Sequence, residues 1–132
     1  MPAFFDSNIL LYLAQDDSAK ADTVERLLRI GGWINVQVLN EVTHVARRKF
    51  GYDWDGVSFL LDRARALLQV ADLTVETHDD GRKLAERYKL SVYDGMIVAA
   101  ARSSGCDVLW SEDMHHGLVI DGVLTIRNPF AE

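Results

Sequence analysis

The sequence predicts an α/β fold, a mostly parallel central sheet of four to five strands with helices on both faces. Short apolar runs of strand length alternate with longer amphipathic segments along the whole chain. Parallel neighbours need crossover connections of helical length, and that alternation supplies them. The chain has 132 residues, 48% of them hydrophobic, with two prolines and no repeat or low-complexity tract. It therefore reads as a single domain, 1–132, able to bury a core of its own.

The elements follow in order. Residues 3–6 form a short buried strand, and a helical turn begins near Asn8. Ser18 is placed to cap a helix reaching about residue 30, with Ala21, Val24, Leu27 and Leu28 on one face. Gly31-Gly32 ends it. A second strand spans 33–35, and a helix over 37–50 stops at Gly51. Asp53 caps a helix over 54–68, and 73–75 reads as the third strand. Thr77 with Asp80 resembles a capping box that opens a helix to about residue 89. Ser91 caps the next, 93–104, which Gly105 closes. Residues 108–111 and 123–127 complete the sheet.

Bulk properties narrow the function. A net charge of −6 argues against nucleic-acid binding through overall positive charge, but leaves room for phosphate chemistry through metal ions. The single cysteine, Cys106, cannot form an intrachain disulfide and reads as a small core residue. The N-terminus lacks the features of a signal peptide, and no apolar run reaches membrane-spanning length. The expectation is a cytoplasmic protein without a membrane partner.

Four acids stand out because each is attached to a core-forming segment. Asp6 follows Ala3-Phe4-Phe5, Glu41 lies within the apolar helix run 36–46, Asp94 precedes the apolar run 96–101, and Asp113 follows Val108-Leu109-Trp110. Asp6 and Asp113 fall at the carboxyl ends of strands, where open parallel sheets bind ligands. Glu41 has Val38, Val42 and Val45 at helical spacing, so it borders the buried stripe. Asp94 has Ile97, Val98 and Ala101 on its face, and it sits where the helix dipole favours an ionised carboxylate. Taken one at a time, Asp6 suits a solvated strand end, Asp94 a first-turn helix acid and Asp113 a turn. Glutamates are seldom buried without a partner, which sets Glu41 apart. Burying unpaired carboxylates is costly, and a shared divalent cation offsets that cost. Hard carboxylate ligands select Mg²⁺ or Mn²⁺. Such ions suit phosphodiester hydrolysis.

The local motifs resemble those of PIN-domain ribonucleases, in particular the VapC-like toxins of toxin–antitoxin systems. They are Phe5-Asp6-Ser7-Asn8-Ile9-Leu10; Asn40-Glu41 within a helix; Tyr93-Asp94-Gly95-Met96-Ile97-Val98-Ala99-Ala100-Ala101; and Leu109-Trp110-Ser111-Glu112-Asp113-Met114 followed by His116-Gly117. The ending Asn128-Pro129-Phe130 is also similar. The resemblance spans nearly the whole chain, with the motifs in the family's order. It implies a PIN-like three-layer sandwich and a Mg²⁺-dependent endoribonuclease toxin. Asp6, Glu41, Asp94 and Asp113 would be the catalytic acids and metal ligands, with Asn8 and Ser111 supporting them. It also implies an RNA substrate, a cognate antitoxin partner and a homodimer. Where some members carry a further acid after the fourth, this chain has Met114, His115, His116 and Gly117.

Other features are read more plainly. His115 and His116 lack the partners of a zinc site and read as a loop beside the active site, with His116 placed near substrate. Glu112 reads as pointing elsewhere, with assistance to Asp113 as the alternative. Arg47-Arg48-Lys49 suits either a solvated helix end or a contact with the RNA backbone. Trp54, Phe59, Leu60 and Leu61 read first as core packing, with a partly exposed portion serving the dimer or antitoxin as the alternative; Tyr12 and Trp33 read as packing residues. The competing functions are a non-catalytic PIN-like interaction module and an acid-rich α/β phosphotransfer protein. The latter would want a second aspartate where Asn8 stands.

Overall fold

The computed structural model describes residues 2–15 and 19–131. The elements run β1 (Ala3–Phe5), α1 (Ser7–Leu10) continued by a 3₁₀ turn (Leu11–Ala14), α2 (Ala19–Ile30), β2 (Trp33–Asn35), α3 (Val36–Arg48) and α4 (Trp54–Leu67). Then follow β3 (Gln69–Ala71), α5 (Val75–Tyr88), α6 (Val92–Ser103), β4 (Val108–Trp110), β5 (Val119–Ile120) and β6 (Leu124–Arg127). The sheet order is β3-β2-β1-β4-β6-β5. Every pairing is parallel except β5 with β6.

The strand order makes β1 the switch point. The chain builds leftward from β1 to β2 and β3, then crosses back to place β4 on the other side of β1. Right-handed crossovers put the helices of these two halves on opposite faces. The core agrees: Phe4 and Phe5, neighbours whose side chains leave opposite faces of β1, are both fully buried. A sheet covered on both faces explains why its strands read as continuous apolar runs.

Local chemistry sets the boundaries. Asn35, Asp53, Thr74 and Ser91 each accept a backbone N–H two or three residues into the helix they cap. The expected caps Asp53 and Ser91 are among them, whereas Ser18 lies outside the described residues. Gly32 enters β2 at φ 146°, where a side chain would fall on the Ala3 carbonyl oxygen.

Three expectations need correction. The third strand is Gln69–Ala71, not 73–75. Leu73 and Val75 are exposed, and Thr74 between them caps α5, so the helix starts before the supposed Thr77 box. The sheet has six strands, because the two-residue β5 pairs antiparallel with β6. Trp54 and Phe59 are not core residues, being 63% and 69% exposed, while Leu60 on the same helix is buried. Cys106 is buried as expected, and burial pushes its thiol up to about 11. No helix among the described residues is long and apolar enough to cross a membrane.

Candidate active site

The carboxyl edge of the sheet at the switch point gathers the sequence-predicted acids. Asp6 leaves β1 in extended geometry and caps α1, its buried carboxylate accepting the Ser7 N–H at 2.8 Å. The adjacent strand β4 delivers Ser111, whose hydroxyl donates to Asp6 Oδ2 at 2.9 Å. Asn8 completes the group. Its Nδ2 donates to Asp6 Oδ2 at 3.2 Å and to Asp113 Oδ2 at 3.1 Å. Its Oδ1 accepts the Glu112 N–H at 3.1 Å. That last bond decides which way the amide faces: with the oxygen committed to a backbone donor, the NH₂ must face the two carboxylates. Asn8 thus bridges acids that would otherwise only repel.

Two helices bring the remaining pair. Asn35, buried at the end of β2, starts α3, which carries the half-buried Glu41. Ser91 starts α6 and accepts the Asp94 N–H at 3.1 Å, fixing Asp94 in the first turn. The close approach of α5 to α6 holds that turn in place. A Cβ on Gly81 would lie 2.8 Å from Met96 Cα, and one on Gly95 would fall on the Gly81 carbonyl oxygen. Only hydrogen fits at both positions, and Asp94 is the residue before Gly95.

The electrostatics show that the acids share one field. Burial, opposed by the bonds from Ser111 and Ser7 and reinforced by Glu41 and Asp94, raises the Asp6 carboxyl to about 6. Burial also raises Glu41, with Ser7 opposing and Asp94 adding to it. Asp94 is raised by burial and then by Asp113. None of the ion pairs among the described residues involves any of the four. Glu41 Oε1 is buried without a hydrogen-bond partner. Unpaired, mutually repelling carboxylates with one orphaned oxygen are the donor set a hard divalent cation requires. Among the described residues no three such side chains form a ready coordination sphere.

Sequence reasoning missed several parts. Ser7 serves Asp6 through its backbone N–H, and its proximity opposes the rise of the Glu41 carboxyl. Glu112 points away from the acids, as the sequence suggested, but its partners were not foreseen: it accepts the Tyr12 hydroxyl at 2.6 Å and pairs with Lys20 at 3.3 Å. Lys20 in turn lies over the Phe130 ring, 4.9 Å from its centroid. Glu112 therefore anchors the loop that carries Asp113, and its contribution to the site is its main-chain N–H. The imidazole of His116 accepts the Asn128 N–H at 2.9 Å and so ties down the C-terminal segment. No spacing rule finds the bonds of Glu112 and Asn8, because they join residues about a hundred positions apart.

The sequence model of the PIN domain matches residues 3–117. The chain belongs to the PIN domain family. No curated protein matches it in sequence. Among solved structures, a toxin–antitoxin complex from Klebsiella pneumoniae is similar at TM-score 0.72 and 19% identity, over 97% of this chain and 98% of that one. DNA-bound VapBC from Salmonella typhimurium is similar at TM-score 0.71 and 16% identity, over 98% of each chain. VapC20 from Mycobacterium tuberculosis, a sarcin–ricin loop cleaving toxin, is similar at TM-score 0.69 and 18% identity, over 84% of this chain and 89% of that one. At these identities the likeness is one of fold. It places this PIN domain's sheet and helices in the arrangement those proteins share.

Proposed function

We propose that this PIN domain is a Mg²⁺-dependent endoribonuclease, the toxin of a toxin–antitoxin pair, silenced by its cognate antitoxin. The observation that carries the reading is the convergence of Asp6, Glu41, Asp94 and Asp113, from four separate connections, with none of them ion-paired to a basic side chain among the described residues. The nuclease character of PIN domains and the toxin–antitoxin settings of the similar structures support it. So does an acidic pocket that a basic antitoxin side chain would fill. A homodimer and a cytoplasmic location accord with the same reading.

Asp6, Asp94, Asp113 and Glu41 would hold Mg²⁺, with Mn²⁺ the natural substitute. When bound, the ion supplies Lewis acidity toward the phosphate and lowers the pKa of a water. The chain's own residues do the rest. Ser111, Ser7 and Asn8 hold the Asp6 carboxylate in one orientation. Asn8 keeps Asp113 beside it. The Ser91 cap fixes Asp94 in the first turn of α6, and its hydrogen bond partly offsets the burial and the Asp113 charge that raise the Asp94 carboxyl. Glu41 brings to the cluster a buried oxygen that has no hydrogen-bond partner of its own and that a bound ion would satisfy.

The deciding experiment is RNA cleavage by antitoxin-free protein in Mg²⁺ and in chelator. Cleavage should require the ion and should fall by more than about a hundredfold in Asp94→Asn, as removal of a metal ligand costs at least what its supporting bonds do. Wild-type protein that cuts no RNA, or an Asp94→Asn variant as active as wild type, ends this reading. Glu41→Gln tests the orphaned oxygen separately. The variant should keep its melting temperature in chelator while its Mg²⁺ affinity drops about tenfold or more by calorimetric titration. An unchanged titration would remove Glu41 from the ion's ligands.

A further inference from the structure

The outer face of α3 links the acids to the chain's densest basic run. Glu41, His44, Val45, Arg48 and Lys49 recur at helical spacing and so form one stripe. Two surface depressions lie end to end along it. One, of about 330 Å³, is lined by Asn40, Glu41, His44 and Val45 together with Ser7. The next, of about 240 Å³, is lined by His44, Val45, Arg48 and Lys49. They share His44 and Val45, so the two shallow depressions adjoin and form one open groove from Ser7 and Glu41, at the border of the acid cluster, to the helix end. At ~1.5 Å per residue, Glu41 and Arg48 stand roughly 10 Å apart along the axis, a span of a nucleotide or two.

The cations in this groove have no acidic partner among the described residues. Arg48 and Lys49 take part in none of the ion pairs among the described residues, and both are exposed. Lys49 only skirts the Phe50 ring, 5.8 Å from its centroid. Arg47, beside them, is spent differently: it donates to the Tyr52 carbonyl at 2.9 Å and stacks 4.5 Å over the Trp54 ring. Helix-end cations do offset the dipole. That accounts for basic residues here but not for a groove joining them to Glu41. In a chain of net charge −6, two such cations along one open groove from Glu41 suit the backbone of a polyanion.

We propose that this groove is the track of the single-stranded RNA backbone beyond the scissile phosphate. In it, Arg48 and Lys49 each neutralise a phosphate while His44 and Val45 form the floor. The proposal rests on the nuclease reading and adds the path by which substrate is held. The contacts are to phosphate, so they add affinity without sequence preference.

The test is binding of a single-stranded RNA oligonucleotide to the intact protein across a salt series, by fluorescence anisotropy. In Arg48→Ala/Lys49→Ala, Kd should rise about tenfold at moderate salt. The slope of log affinity against log salt should shrink by about 1.4, at ~0.7 for each single-strand phosphate that is no longer neutralised. Arg48→Glu should weaken binding further, and Arg82→Ala/Lys83→Ala on α5 should not alter it. An unchanged Kd and slope in the double variant, with wild type still cleaving RNA, overturns the track and leaves the nuclease standing. Wild type that neither binds nor cleaves RNA overturns both. A variant that changes from dimer to monomer in sedimentation while keeping its RNA affinity shows the groove to be a contact with a second copy, and the proposal falls.

Discussion

Asp6→Asn should give a chain that is more stable without metal and inactive with it. The Asp6 carboxyl sits at about 6 in the folded protein against 3.8 for its ordinary value. Between those pH values the folded chain holds a proton that the unfolded chain has released. Stability therefore falls as pH rises from about 4 to about 6, and the cost of burying the charge is fully present above that. At ~1.4 kcal/mol for each tenfold change in proton affinity, that cost is about 3 kcal/mol. Asparagine removes the charge but also turns one acceptor into a donor, so the gain at neutral pH is at most about 3 kcal/mol. Thermal melts in EDTA across pH 4 to 8 should show a falling wild-type curve and a flatter one for the variant. Matching slopes would show that Asp6 is not the group responsible. In Mg²⁺ the order reverses in function: loss of this ligand should cost about a thousandfold in cleavage, equivalent to ~4 kcal/mol of transition-state stabilisation. The ion should no longer raise the melting temperature.

Gly95→Ala should damage the protein twice over. The added methyl meets the Gly81 carbonyl oxygen and comes within 3.0 Å of the Ala85 side chain, so α5 and α6 must separate. Overpacking of this kind costs about 1–3 kcal/mol, and two rigid backbones put this case near the upper end. Asp94 rides on the displaced turn. A shift approaching ~1 Å at a positioning residue can cost about a hundredfold in rate. Urea unfolding and single-turnover RNA cleavage separate the two effects. A lower urea midpoint with full activity would mean that the pocket tolerates movement of α6, and the glycine pair would then be a matter of packing alone.

The fold was legible where chain chemistry is local. Asp53 and Ser91 announce their helices because a capping side chain acts within its own first turn. The third strand was misplaced because Leu73-Thr74-Val75 has the β-branched composition of a strand, yet nothing packs over it. Gln69-Val70-Ala71 forms the strand because it can pair with β2 in register. β5 has only two residues, too few to leave a pattern. In the site, strand ends located Asp6 and Asp113 on one edge. That Glu41 and Asp94 act on the same field depends on how α3 and α6 pack, and helical phase gives only an inward direction. The orientation of Asn8 depends on the Glu112 N–H, a main-chain group that no residue type advertises.

The pairing of β1 with β4 has a kinetic consequence. Phe4 aligns with Leu109 and Phe5 with Trp110, so the centre of the sheet closes a loop of about a hundred residues. Closing so long a loop is entropically late and slow relative to forming helices. Until it happens, Asp6 lacks the hydroxyl of Ser111, Asn8 lacks the main-chain donor of Glu112, and Asp113 is nowhere near. A chain released only to its first hundred residues therefore lacks the fourth acid and the groups that orient Asp6 and Asn8. The cluster is complete only once β4 has joined β1.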